Sequence, residues 1–254
     1  MSSSDRHSLE PFVARLTMRS VLSAEERRAI LALPTHPIVV RAKQDFVRIN
    51  EETTYSCFIA SGLVGRFGQT AAGARQFTAL HIPGEMADLH SAVRPIGIGG
   101  LNALCNSTIL RVPHSAIRSV AARYPAVAEA FWRDSMLDAA ILMQWVMNVG
   151  RHDAKTRLAH IFCEMAVRYG RDQQGCCQYA FPITQEQLAD AAGITGVHVN
   201  RSLKALRQEK LATLVRGEVR ILNWAALAKL GEFNPAYLMA DTKPERQRRM
   251  LAAE

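Results

Sequence analysis

Between Pro182 and Arg207 the chain sets small residues, polar caps and a basic stripe at the spacing of two helices joined by a tight turn. Thr184 and Gln187 stand three apart, as a capping box requires, so a first helix begins at Gln185 and turns Leu188 and Ala189 inward. Gly193 permits the left-handed backbone of a sharp turn, and Thr195 caps a second helix over 196–208. On that helix Val199, Leu203 and Leu206 share one side, which leaves His198, Arg201, Lys204 and Arg207 facing solvent or a duplex.

The chemistry on offer is polyanion binding. From Thr195 to Arg220 there are six basic residues (Arg201, Lys204, Arg207, Lys210, Arg216 and Arg220) against Glu209 and Glu218, in a chain of formal charge +8. A solvated helix face carries the same charge signature, so charge by itself leaves both readings open. The run from Leu211 to Leu222 adds a hairpin around Gly217. Cap, turn, basic face and hairpin together spell a winged helix-turn-helix, whose second helix lies in the major groove of double-stranded DNA.

Other elements must position that unit. From Pro125 to Val149 no glycine or further proline interrupts a run of strong helix formers. Trp132, Met136, Ala139, Met143 and Val146 recur at alternating steps of four and three, the seam of a coiled coil; Leu137, Ile141, Trp145 and Val149 recur at steps of four. A helix apolar on two sides buries both, so one stripe is expected on its own β-domain and the other against a second copy. The central helix of a monomeric core remains the alternative. Gly150 is expected to stop this helix, and Asp153 to cap the next, which carries Leu158, Ile161, Phe162 and Met165. A polar turn from Gly170 to Gln178 follows.

Upstream, residues Ser8 to Leu33 read as one or two short helices, with Ser23 and Glu26 forming a capping box. Short apolar runs punctuated by glycine then fill Ile38 to Pro113, the texture of an antiparallel roll. The expected fold is α+β: a helical segment over 1–34, a β-roll over 35–123, a dimerisation helix over 124–150, a winged helix-turn-helix over 151–239 and a basic tail over 240–254.

The 254 residues are 48% hydrophobic and 21% charged, which excludes global disorder. No run reaches the roughly 18 apolar residues of a spanning helix, and no apolar core follows the charged start. A cytoplasmic protein with no membrane partner is expected. Five cysteines, an odd number without scaffold spacing, fit a reducing compartment. Cys57 and Cys105 lie in strand-like runs and read as small buried hydrophobes, whereas adjacent Cys176 and Cys177, in the polar turn, read as an exposed, redox-responsive pair. No P-loop, nucleophile elbow or zinc-protease motif occurs, so neither an enzyme nor a metal site is expected.

Leu188-Ala189-Asp190, Gly193-Ile194-Thr195, Val197-His198-Val199-Asn200-Arg201, Leu203, Leu206-Arg207, Leu230, Phe233-Asn234-Pro235 and Tyr237-Leu238 resemble the C-terminal domain of the cyclic-AMP receptor protein / fumarate-nitrate regulator (Crp/Fnr) family. The order of parts agrees over nearly the whole chain. The resemblance implies a sensor roll of cyclic-nucleotide-binding jelly-roll type, a dimerising helix, and a winged helix-turn-helix that binds promoter DNA beside RNA polymerase. It implies a DNA-facing set of Thr184, Gln185, Thr195, Val197, His198, Asn200, Arg201, Lys204 and Arg207, with Arg201 reading a guanine. Val197 departs from the best-known members, which place a glutamate there.

The sensor departs further. Where nucleotide-binding relatives carry Gly-Glu-Leu for the ribose and Arg-Ser for the phosphate, this chain has Asp88-Leu89-His90 and Gly97-Ile98. No cyclic AMP site is therefore expected unless Arg94 shifts into the phosphate role. Glu85, on the preceding turn, is not the ribose anchor. The segment before Pro34 has no cysteine for an iron-sulfur cluster, and His81 and His90 read as ordinary hydrogen-bonding residues rather than haem ligands, so no cofactor is expected. The competing functional class is a ligand- or partner-binding regulator whose roll is the working part and whose helix-turn-helix is vestigial.

Overall fold

A computed structural model describes residues 8–97, 99–171, 175–239 and 244. The expectations for Ile98 and, Pro244 apart, for the basic tail concern residues outside this set. The chain begins with α1 (Glu10–Thr17) and α2 (Ala24–Leu31). The Ser23 hydroxyl accepts from the Glu26 amide at 3.2 Å and the Glu26 carboxylate accepts from the Ser23 amide at 2.6 Å, which closes the expected capping box. Phe12 of α1 anchors this segment, its ring 6.3 Å from that of Phe58 and 6.0 Å from that of Phe131.

The strands that follow are β1 (His36–Val40), β2 (Asp45–Val47), β3 (Tyr55–Ser61), β4 (Val64–Gln69), β5 (Arg75–His81), β6 (Gly100–Ala103) and β7 (Ser107–Pro113). They form two antiparallel sheets in the orders β1-β7-β3 and β2-β6-β4-β5, the expected roll. Its interior is filled by its own side chains, among them Phe46, Cys57, Ile59, Val64, Leu101 and Ile109. β6 was not anticipated: Gly-Leu-Asn-Ala has no β-branched residue, and its pairing with both β2 and β4 decides its conformation. Cys105 corrects its assignment to a strand. Ala103 is the last residue paired to β4 and Ser107 the first paired to β1, so Cys105 sits half-buried in the bend between them.

After α3 (His114–Arg123) comes α4 (Pro125–Arg151), with Pro125 in the first turn where its missing amide costs nothing. Gly150 does not stop it. A glycine inside a helix costs only about 1 kcal/mol, and the helix runs on to Arg151, after which Asp153 starts α5 (Ala154–Arg168) by accepting from the Thr156 amide at 2.9 Å. Leu137, Ile141 and Trp145 are buried on the inner face, but not by the roll alone. They join Leu63, Phe67, Phe77 and Leu80 of the roll and Leu158, Phe162 and Met165 of α5 in one continuous core.

The C-terminal part comprises β8 (Cys177–Ala180), α6 (Gln185–Ala192), α7 (Gly196–Gln208), β9 (Ala212–Val215), β10 (Glu218–Ile221) and α8 (Trp224–Leu230), closed by a short 3-10 turn at Pro235–Leu238. The polar turn expected to run to Gln178 therefore ends earlier. Cys177 and Gln178 belong to β8, because β10 offers a free edge and the buried Tyr179 hydroxyl donates to the Phe162 carbonyl at 2.8 Å. No helix among the described residues is long and apolar enough to cross a membrane.

Candidate nucleic-acid interface

The helix-turn-helix is built from its caps. Thr184 Oγ1 accepts from the Gln187 amide at 3.2 Å while Gln187 Oε1 accepts from the Thr184 amide at 2.9 Å, so α6 starts where the sequence places it. Gly193 ends it with φ +62°, and a Cβ there would stand 2.9 Å from Val149 Cγ1 and 3.1 Å from Gln76 Oε1. Thr195 then caps α7: its hydroxyl accepts from the His198 amide at 3.4 Å and lies 3.0 Å from His198 Nδ1. That pairing draws the imidazole back toward the cap.

α7 buries Val199, Ser202 and Leu206, with Leu203 half-buried. Val197, His198, Asn200, Arg201, Lys204 and Arg207 are all exposed, as are Thr184, Gln185 and Thr195. The structure thus leaves all nine candidate DNA residues exposed and brings Gln185, Asn200, Lys204 and Arg207 together around one cleft. A cleft of about 170 Å³ separates Gln185, Asn200, Lys204 and Arg207 from Thr213 and Val215 of β9. The β9-β10 hairpin turns through Arg216 (φ +51°) and Gly217 (φ +75°), the backbone of a two-residue turn that matches strand twist. Arg216 is thereby held exposed at the tip of the wing.

Two residues of this architecture were not singled out as site residues from sequence. Arg216 entered only as one charge in six, although its place beside Gly217, between two short apolar runs, puts it at the hairpin tip. Arg157 had no local signal. Its guanidinium donates to the carbonyls of Ala192 at 2.9 Å and Gly193 at 3.1 Å, capping the end of α6 and holding the turn.

Buried polar contacts fix the interface against the roll. Gln187 Nε2 donates to the Leu104 carbonyl at 3.2 Å and Gln76 Nε2 to the Ala191 carbonyl at 3.2 Å. Glu85 accepts from Arg15 and Arg168 at 2.9 and 2.8 Å, and Arg168 also donates to Glu164 at 2.8 Å. Glu164 in turn accepts from Trp145 Nε1 at 2.9 Å and from the Tyr237 hydroxyl at 2.8 Å. Two carboxylates and two guanidiniums thus cancel in a site that links α1, the roll, α4 and α5. Burial by itself raises the Glu85 carboxyl, but Arg168 and Arg15 outweigh it and hold it well below the usual range.

The remaining candidates fall elsewhere. The seam side chains are uncovered: Trp132 is 70% exposed, Met136 52%, Met143 60% and Val146 64%, and Ala139 lies exposed among them. Cys176 is exposed, its thiol 3.0 Å from the Leu222 carbonyl, while Cys177 is half-buried at the start of β8. Where nucleotide-binding relatives would carry the ribose motif, the Asp88 carboxylate turns inward to accept from the Cys57 amide at 2.6 Å and Leu89 is buried, while Arg94 is exposed. Both ring nitrogens of His81 are engaged, with Glu85 at 3.3 Å and Arg66 at 3.0 Å. His90 is half-buried beside it.

Residues 156–230 match the Crp-like helix-turn-helix domain. Over a longer span the chain is similar to the transcriptional regulatory protein Btr of Bordetella pertussis, 22% identical over 162 residues that cover 64% of this chain and 67% of that one. It is also similar to the regulatory protein HlyX of Actinobacillus pleuropneumoniae, 19% identical across 83% of this chain and 88% of HlyX. Its fold is that of FixK2 from Bradyrhizobium japonicum, with a TM-score of 0.68 at 21% identity over 78% of this chain and 98% of FixK2. Residues 156–230 thus match a Crp-like helix-turn-helix domain, and with its roll and long helix the chain resembles DNA-binding transcription regulators of the Crp/Fnr class.

Proposed function

We propose that the protein acts in the cytoplasm as a homodimer on an inverted repeat in promoter DNA, with α7 of each copy in the major groove and contact to RNA polymerase alongside. The observation that carries this reading is the outer face of α7. Arg201, Lys204 and Arg207 are exposed there and form no ion pair among the described residues, whereas Lys155 is satisfied by Glu209 and Arg75 by Asp45. Three unneutralised cations beside a cleft and a basic wing tip suit a phosphate backbone. Dimerisation is supported by the uncovered seam of α4. The function needs no catalytic step. Nor does it take cyclic AMP or cyclic GMP: the inward-turned Asp88 and the buried Leu89 support a roll without ribose or phosphate anchors, and calorimetry should find no saturable binding below millimolar nucleotide.

Selection from random duplexes tests the reading. It should return a palindrome with half-site centres about 34–36 Å apart, one helical turn. On that site Arg201→Ala should cost about 1–3 kcal/mol and relax preference at one base pair, while Lys204→Ala should weaken all sequences alike and reduce the salt slope by about one. A single strong half-site, or identical behaviour of the two variants, overturns it.

A further inference from the structure

One side chain on the outer face of α7 has no polar role in the groove contact. Val197 is 69% exposed in the first turn of the helix. Among the described residues C-terminal to α4, the only other exposed large hydrophobic side chain is Val215 on the wing. A solitary exposed valine is ordinary on a protein surface, so its placement decides its meaning.

Val197 and Arg201 are four residues apart, on one face of the helix and about 6 Å from each other along its axis, less than two base-pair steps of about 3.4 Å. The N-terminal residues of a recognition helix are those that meet base edges. Here Gly196 offers no side chain and His198 is drawn back to Thr195, so Val197 is the foremost apolar group at that end. Its branched side chain holds essentially one χ1 rotamer in a helix and loses little freedom on contact. It has neither donor nor acceptor, and the apolar group that an unmodified base pair presents in the major groove is the C5-methyl of thymine.

We propose that Val197 is a specificity-determining residue that packs against the methyl of a thymine within two base pairs of the guanine contacted by Arg201. The inference rests on the groove-binding reading above and adds the base class read at its second position.

Deoxyuridine, which differs from thymidine only by that methyl, tests it directly. In the selected site, each thymine of one half-site is replaced in turn and the dissociation constant measured. Wild-type protein should bind about fourfold more weakly at one such position, the equivalent of about 0.8 kcal/mol for one buried methyl group. Val197→Ser, a change on an exposed position that leaves the core intact, should bind the thymine and uracil sites equally. Val215→Ser and Lys204→Ala should keep the fourfold difference. The proposal is overturned if no thymine methyl matters, or if Val197→Ser discriminates as wild type does. Either result leaves the selected palindrome and the Arg201 dependence standing; a wild-type protein that selects no sequence takes down both readings.

Discussion

Replacing Met136 and Met143 together by glutamate should convert the protein to monomers and lower its affinity for the full palindrome by about a hundredfold or more. Both side chains are more than half exposed in the single chain, so the fold does not depend on them, and thermal unfolding followed by circular dichroism should change little. In a dimer built on α4 the same positions face their counterparts. Four carboxylates would then stand at a desolvated seam, where unpaired charge costs several kcal/mol. The loss in DNA binding follows from geometry. Two recognition helices in one particle place the second half-site at an effective concentration near millimolar, an avidity worth about 10²–10⁴ that a monomer forfeits. Sedimentation equilibrium and titration of full and half sites check both parts. A double variant that still sediments as a dimer would place the interface on another surface.

The second large effect concerns the roll. Burial pushes the Asp88 carboxyl up to about 6, against the opposing pull of its hydrogen bond from the Cys57 amide and of Arg66. A carboxyl whose folded pKa lies above its unfolded value binds more protons when folded, so its contribution to stability is lost as pH rises from about 4 to about 6 and stays lost above that. A rise of about two pH units corresponds to about 3 kcal/mol. Asp88→Asn keeps an acceptor for Cys57 and removes the charge. It should therefore stabilise the protein at pH 8 and abolish this part of the pH dependence. Glu85, held low by its guanidiniums, gives the opposite slope in both proteins and cancels in the difference. Urea midpoints measured from pH 4 to 8 test the point; equal slopes in variant and wild type would refute it.

Much of this was legible in the sequence because it is local. Ser23 with Glu26, Thr184 with Gln187, Asp153 and Thr195 each satisfy amides within three residues, so helix starts follow from neighbours along the chain. Helical periodicity likewise separated the two stripes of α4, and the structure leaves one exposed and buries the other as far as Trp145, with Val149 half-buried. Gly150 misled because a local cost of about 1 kcal/mol was weighed without the packing that carries the helix past it. β6 and β8 escaped for a related reason: four-residue strands of weak propensity exist only because partner strands offer free edges.

The sequence by itself determined the winged helix-turn-helix, its basic face and the order of parts, since these rest on contacts a few residues apart and on composition. Tertiary structure alone decided how the parts are held. The ion pairs of Glu85 with Arg15 and Arg168 join residues some seventy to eighty positions apart, as the Gln187 bond to Leu104 does, and no periodicity encodes such pairings. They form because burying a charge or an amide is tolerable only when a partner waits in the same place, and which groups are buried together is settled when the core closes.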